Sequence, residues 1–432
     1  MAQLATYAAL AFAIFASAAN AQSPNQPPPI QVNAQIGKVH VPVTCDFLNA
    51  YNQTFEVVAS GGLAAYGVSG GSYYVTDIAG NITIPAEVVR LARLSGASQI
   101  TTNTSIYLAA TNAAPARLLM YTGISHLPVP ANGSIDSRFP VGNGTLPAAG
   151  PFVIGTGSDP SRVVIGDVHV SITLQNAKGD NIGGELATNC QRPPVDIILG
   201  GVSILDKQAA QGVLGSAINS VPKNGYVPDF GVVPLNDQYG FFRFPYGCNF
   251  QTFGNQQLDL TIGGQLPTVL IPGEKFSLTR AQSYLRVSPS LLQSVKKRYP
   301  TVATFSTVVK SFDLFFSNAS PSKINVAASQ LKSRVSVAGV NDKKSLVIPI
   351  PEFNRLTVGP VTVANKTGDV MSLSVGNATA AVSFLDANGK VLSNVAVTCA
   401  PYAFLELIGV TIADQLPLNY SLGTVQPSTP SS

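Results

Sequence analysis

The chain is written twice. Cys45-Asp46-Phe47 followed by Asn52-Gln53 returns as Cys248-Asn249-Phe250 followed by Asn255-Gln256, at a constant offset of 203 residues. The offset holds without a gap through Gly61/Gly264, Leu63/Leu266, Gly70/Gly273, Tyr73/Phe276 and Thr76/Thr279, and on to Val88-Val89/Leu291-Leu292. Leu108, Asn112-Ala113 and Pro115 then match Leu314, Asn318-Ala319 and Pro321 at offset 206, and Cys190 matches Cys399 at offset 209. Beyond the second cysteine, Gly201-Val202-Ser203-Ile204 answers Gly409-Val410-Thr411-Ile412, and Asp206 answers Asp414. A period this long is the size of a domain, so the pattern predicts a tandem duplication and not a solenoid.

Within each copy the apolar residues alternate or form short β-branched runs bounded by Gly, Pro and Asn. Val163-Val164-Ile165, Val168-His169-Val170-Ser171-Ile172 and Ser345-Leu346-Val347-Ile348 are examples. Many short strands with frequent turns predict a mainly β chain: two tandem homologous sandwich-like or barrel-like domains. Asp386-Ala387-Asn388-Gly389-Lys390 and its counterpart Asn176-Ala177-Lys178-Gly179-Asp180 read as hairpin turns. Each copy also carries one short helix. Ser288 can cap the second, Pro289 suits its first turn, and Leu291, Leu292, Val295 and Tyr299 form an apolar stripe. In the first copy Pro85 opens the helix through Val88-Val89-Arg90-Leu91-Ala92, and Ser95-Gly96 ends it. A further helical pattern runs from Asp206 to Asn219.

The expected boundaries are a signal peptide at 1–21, a disordered Pro-rich stretch at 22–38 and a first β domain at 39–215. A linker at 216–240, a second β domain at 241–422 and a disordered tail at 423–432 follow. The signal peptide is read from an uncharged apolar run, Leu4 to Ala19, ending in Ala19-Asn20-Ala21, a small-x-small cleavage pattern. The usual Lys or Arg at its start is missing. No later stretch reaches membrane-spanning length, and the tail has no hydrophobic end, so neither a transmembrane nor a lipid anchor is expected. Nine Asn-x-Ser/Thr sites fit an exported glycoprotein: Asn52, Asn81, Asn103, Asn132, Asn143, Asn318, Asn365, Asn377 and Asn419. Asn318 is the weakest, because Pro321 follows its serine. Charged residues are 11% of the chain, against ~25% in ordinary soluble proteins. The net charge of +4 forms no basic run, which excludes nucleic acid as a partner.

Four cysteines allow three pairings. One stands near the start and one near the end of each copy, so Cys45–Cys190 and Cys248–Cys399 is the economical choice. Their wide spacing carries no redox or metal motif.

Little points to chemistry. Gly67-Val68-Ser69-Gly70-Gly71 spells a nucleophile elbow, but the elbow needs a strand-to-helix turn and a following histidine and acid. The next residues, Tyr73-Tyr74-Val75, read as a strand, and Pro272 replaces Ser69 in the second copy. The three histidines, His40, His126 and His169, are scattered. Asp167 and His169 share a face of one strand, yet the second copy has Asn377 and Thr379 there. Asp180, near Asn176 and Asn181, lacks the spacing of a calcium loop. No catalytic, metal or cofactor residue is therefore assigned. The absence of Trp disfavours a sugar-binding platform, with Tyr73-Tyr74 expected to be half-buried on a strand.

The order of a cysteine and an aromatic on the first strand, a Gly-bounded strand pair, a short helix, a long β stretch, a hairpin and a closing cysteine resembles a known family. It looks like the secreted, cysteine-bracketed β domains of unknown function common in actinobacterial exported proteins. The likeness covers about Val39 to Pro193 and Phe241 to Pro401. The sequon load departs from it and suits a eukaryotic secreted protein better. The resemblance implies a secreted, cysteine-bracketed β fold for each copy and carries over no functional residue.

The leading expectation is a secreted, non-enzymatic glycoprotein, a surface, matrix or adhesion-type protein with a macromolecular partner. The second is a carrier of lipid or another apolar ligand, with a pocket wall at Phe312/Leu314/Phe315/Phe316 and at Ile106/Leu108/Ala109. A serine hydrolase built on Ser69 comes third.

Overall fold

The computed structural model describes residues 34–414 apart from 48–50, 143, 192–195, 207–230, 330, 338–339, 341–344 and 353–354. The chain is mainly β, as the alternation predicted, with two short α-helices among the described residues. The longer elements of the first half are β1 (Ala34–Phe47), β2 (Tyr51–Ala64), β3 (Ser72–Ile84), α1 (Ala86–Leu94), β4 (Gln99–Ala110) and β5 (Arg117–Pro128). β6 (Ile135–Phe139), β7 (Ala149–Ile154), β8 (Ser161–Gln175), β9 (Asn181–Gln191) and β10 (Ile198–Leu205) complete it. The second half runs β11 (Asp237–Phe250), β12 (Gly254–Pro267), β13 (Lys275–Val287), α2 (Pro289–Arg298), β14 (Thr304–Phe316) and β15 (Lys332–Ser336). Then come β16 (Leu346–Ile350), β17 (Leu356–Val363), β18 (Val370–Leu385), β19 (Val391–Pro401) and β20 (Glu406–Ile412).

The antiparallel ladders give the first half the order β6-β3-β2-β1-β9-β8-β4-β5. The second half shows the order β16-β13-β12-β11-β19-β18-β14-β15. Each is a long sheet that curls into a half-barrel, because adjacent strands twist in one sense and one face must be buried. β4 shows the pleat plainly: Ile100, Thr102, Thr104, Ile106 and Leu108 point inward, with the intervening residues at least partly exposed. The helices lie against these inner faces. α1 buries Val88, Val89 and Ala92, and α2 buries Leu291, Leu292 and Val295. Ser288 caps α2 as expected, its Oγ accepting from Leu291 N at 3.3 Å, and Tyr299 leans on Phe384 with ring centroids 5.5 Å apart. The helical pattern over 206–219 falls almost wholly outside the described residues.

Both expected disulfides are present. Cys45 and Cys190 stand opposite each other in the β1–β9 ladder, as do Cys248 and Cys399 in β11–β19. Each bridge ties the first strand of a half-barrel to its closing strand. The two hairpin turns are built alike. Asn176 Oδ1 accepts from Lys178 N and Asp180 N, while Asp386 Oδ1 accepts from Asn388 N and Lys390 N. Gly179 (φ +86) and Gly389 (φ +80) supply the left-handed position that closes them.

The halves meet along β1 and β11. Ala34 to His40 pair antiparallel with Arg243 to Asp237, and Gly37 faces Gly240 at the centre. These residues lie partly in the stretches expected to be disordered (22–38) and linker (216–240). Ala34 to Lys38 and Asp237 to Gly240 are nevertheless strand, because each segment supplies the other's backbone partners. The cores also interlock. Ala65, Tyr66 and Leu205 of the first half belong to the apolar cluster of the second, while Val269 and Ala413 of the second belong to that of the first. Beside this seam Arg162 makes two bonds to Glu406, Nε to Oε1 at 2.9 Å and Nη2 to Oε2 at 2.8 Å. Glu406 is only 1% exposed. Its second oxygen also accepts from Ser372 Oγ, and its backbone N donates to Ser203 Oγ.

One glycine shows how tightly the first half is filled. A Cβ on Gly80 would collide with the Val58 carbonyl oxygen and with Cζ of Phe139, which is fully buried. Gly80→Ala is therefore expected to lower unfolding free energy by ~1–3 kcal/mol through overpacking, measured by urea titration.

Candidate functional site

The residues singled out for chemistry do not converge. Ser69 is exposed in a turn between the short strand Tyr66–Val68 and β3, and its Oγ donates to Gly155 O at 3.0 Å. Gly70 (φ +75) makes the turn, as Gly273 (φ +75) does in the second half. The strand-to-helix context of a nucleophile elbow is absent here. His126 Nδ1 bonds Thr101 Oγ1 at 2.9 Å, and His169 meets the Tyr107 ring edge-on. His40 bridges Val233 O and Glu56 Oε2. Asp167 pairs with Arg117 at 2.8 Å instead of acting with His169. Among the described residues no three His, Cys, Asp or Glu side chains gather where a metal could sit. Of the pair expected to be half-buried, Tyr74 is half-buried and Tyr73 is fully buried. It stacks on Phe152 at 5.4 Å, and burial pushes its phenol up to about 12.

The expected pocket wall is found in the second half only in part. An apolar cavity of about 70 Å³ lies inside the second half-barrel, under α2. Phe312 lines it, together with Leu291 and Val295 of α2 and Phe305 and Val309 of β14. Leu314 and Phe316 of the expected wall instead pack in the core, and Phe315 is 40% exposed. The β14–β18 register shifts between Val309 and Ser311, where β14 carries an extra residue, so the inward set changes from Phe305, Thr307 and Val309 to Phe312, Leu314 and Phe316, and Phe315 is turned outward. On the corresponding strand of the first half, Ile106 and Leu108 are buried core and Ala109 is half-buried.

Among the described residues, four hydroxyl-bearing side chains line the cavity. Ser283 Oγ donates to Ile350 O at 2.8 Å, Tyr246 OH donates to Gly376 O, and Thr379 Oγ1 bonds Ser311 Oγ at 2.6 Å. Thr307, 3% exposed, has no hydrogen-bond partner for its Oγ1. Burial also pushes the Tyr246 phenol well above its usual range. Among the described residues no charged side chain lines the cavity. Sequence reading missed Thr307 because a lone threonine in an alternating strand carries no signal of its own.

The five described sequons with exposed side chains are Asn103, Asn132, Asn318, Asn365 and Asn377. Asn81 is half-buried, its Nδ2 donating to Thr83 and Asp136. The side chain of Asn52, and Asn143 and Asn419 altogether, lie outside the described residues. Disulfides of this kind persist in oxidising compartments, which is compatible with an extracellular protein. No helix among the described residues is long and apolar enough to cross a membrane.

No family model matches the chain, and no curated protein is similar to it at a meaningful level.

Proposed function

We propose that the chain is an exported, non-enzymatic surface, adhesion or binding protein made of two homologous copies of one cysteine-bracketed β module. The observation that carries this reading is the seam. β1 and β11 pair in a register that maps onto itself under the 203-residue offset, Gly37 against Gly240, His40 against Asp237 and Ala34 against Arg243. That is the geometry of a two-fold dimer contact, in which one patch meets its own copy. Fusion of two such subunits accounts for the repeat, for the linker and for the exchange of Tyr66 and Val269 between cores. Two modules held at a fixed separation suit bivalent attachment to a surface, where the second contact is made at high effective concentration. The paired cysteines at the ends of each module support the likeness to exported β domains. We assign the protein no reaction, because Ser69 and the histidines each have separate partners.

An apolar-ligand carrier is the second reading, favoured by the cavity under α2. Its volume of about 70 Å³ is roughly half that of an apolar cavity just able to admit benzene, so a whole acyl chain does not fit. Native mass spectrometry of the secreted, deglycosylated protein separates the two. The surface reading expects a clean mass, with four oxidised cysteines and the first 21 residues removed. A stoichiometric lipid released on denaturation would put the carrier first. Free thiols and an intact N-terminus would sink export altogether.

Asn318 is expected to stay unglycosylated even in a eukaryotic host. It holds a positive φ of 50°, its Nδ2 donates to Val370 O at 2.9 Å, and Pro321 follows the sequon. Glycopeptide mapping with isotope-labelled deglycosylation should leave Asn318 unlabelled while marking sites such as Asn132 and Asn103.

A further inference from the structure

At the place in the first half that matches the cavity, two rings fill the space. Phe139 stands opposite Gly80 in the β3–β6 ladder, where Ile350 stands opposite Ser283 in β13–β16. Ser283 and Ile350 both line the cavity. In the first half the Phe139 ring lies directly on Gly80, in the space that a Cβ there would need. Tyr121 leans on Phe139, ring centroids 5.8 Å apart, and its own ring covers Gly123 in the same way. Gly123 faces Thr104 in the β4–β5 ladder, and in the second half Val309 N donates to Leu331 O beside β14. Leu331 and Val309 also line the cavity. One half-barrel is thus plugged by Tyr121 and Phe139, and the other is left open.

We infer that the open half-barrel is a binding site for a small neutral molecule, mostly hydrocarbon, that carries one hydrogen-bonding oxygen. Short aliphatic alcohols and ketones are the class. Among the described residues the lining has no charged side chain, so an ionised ligand would enter without a counter-charge. Three of the four lining hydroxyls are already bonded, and the Thr307 hydroxyl alone is left to recognise one oxygen. A volume of about 70 Å³ encloses roughly two water-sized groups, so the ligand is short or leaves its remainder at the rim by half-buried Phe312 and Ile350. This site goes beyond the surface-protein reading and does not depend on it.

The test is a methyl-carbon NMR titration of the intact, disulfide-bonded protein with 1-butanol and with 1-chlorobutane, which has the same chain without the hydroxyl. Saturable shifts are expected at the methyls of Val309, Leu331, Ile348 and Ile350, with 1-butanol bound roughly tenfold more tightly, the effect of one net hydrogen bond. Thr307→Val should erase that preference while keeping 1-chlorobutane binding. Ala380→Leu, on the cavity lining, should abolish both. Tyr121→Ala should open the first half and add a second set of shifts, at Leu108 and Ile82. If Ala380→Leu fails to fold, the Thr307→Val ratio still decides. Absence of saturable shifts at the methyls of these four residues, no preference for the alcohol, or a preference that survives Thr307→Val would overturn the assignment.

Discussion

Arg162→Ala is expected to destabilise the protein by ~3–5 kcal/mol in urea unfolding, because it strands a buried carboxylate. Glu406 is 1% exposed, and after the substitution only Ser372 Oγ would still donate to it, in place of a two-pronged guanidinium. The cost falls on the seam between the halves, since Arg162 belongs to β8 and Glu406 to β20. Replacing both residues together, Arg162→Met with Glu406→Leu, should recover most of the loss, because apolar side chains of similar size carry no desolvation cost there. A single-substitution effect below ~1 kcal/mol would mean that water reaches the pair and that the seam is loose.

The second large effect concerns the brackets. Cys248→Ser with Cys399→Ser is expected to cost ~2–5 kcal/mol, and Cys45→Ser with Cys190→Ser a similar amount. The bridges span 151 and 145 residues, so each removes much freedom from the unfolded chain. Each also sits inside a ladder, where the closing strand is already hydrogen-bonded to the first. Loss of the bridge should therefore weaken but not erase the fold, and the circular dichroism of the native state should keep its β signature. A loss of all β structure would show that the ladders cannot hold the closing strands alone.

The sequence revealed what repeats locally. Ser288 and Pro289 announced α2, Asn176 and Asp386 announced their turns, and the cysteine spacing announced both bridges. Each of these depends on residues close in the chain or on one self-match. The seam was not legible. Arg162 and Glu406 are 244 residues apart, and neither lies in a charge pattern that would single it out. Ala34 to Lys38 and Asp237 to Gly240 read as disordered and linker because their strand character comes from each other and from β2 and β12, not from a strong apolar alternation. The cavity was half legible. Phe312 lies on its wall as expected, but the register shift between Val309 and Ser311 cannot be seen in a period-two pattern, and Leu314 and Phe316, on the same face further along β14, pack in the core instead. The plug in the first half depends on Gly80 and Gly123 lying under rings. Glycine in a strand signals close approach without saying what approaches.

The single cooperative body formed by the two halves is the claim on which the rest turns, and differential scanning calorimetry of the intact chain tests it most directly. Interlocked cores and a shared ladder predict one transition, with calorimetric and van't Hoff enthalpies equal, that moves as a whole to lower temperature in Arg162→Ala. Two separate transitions in the unmodified protein, only one of them shifted by that substitution, would contradict it.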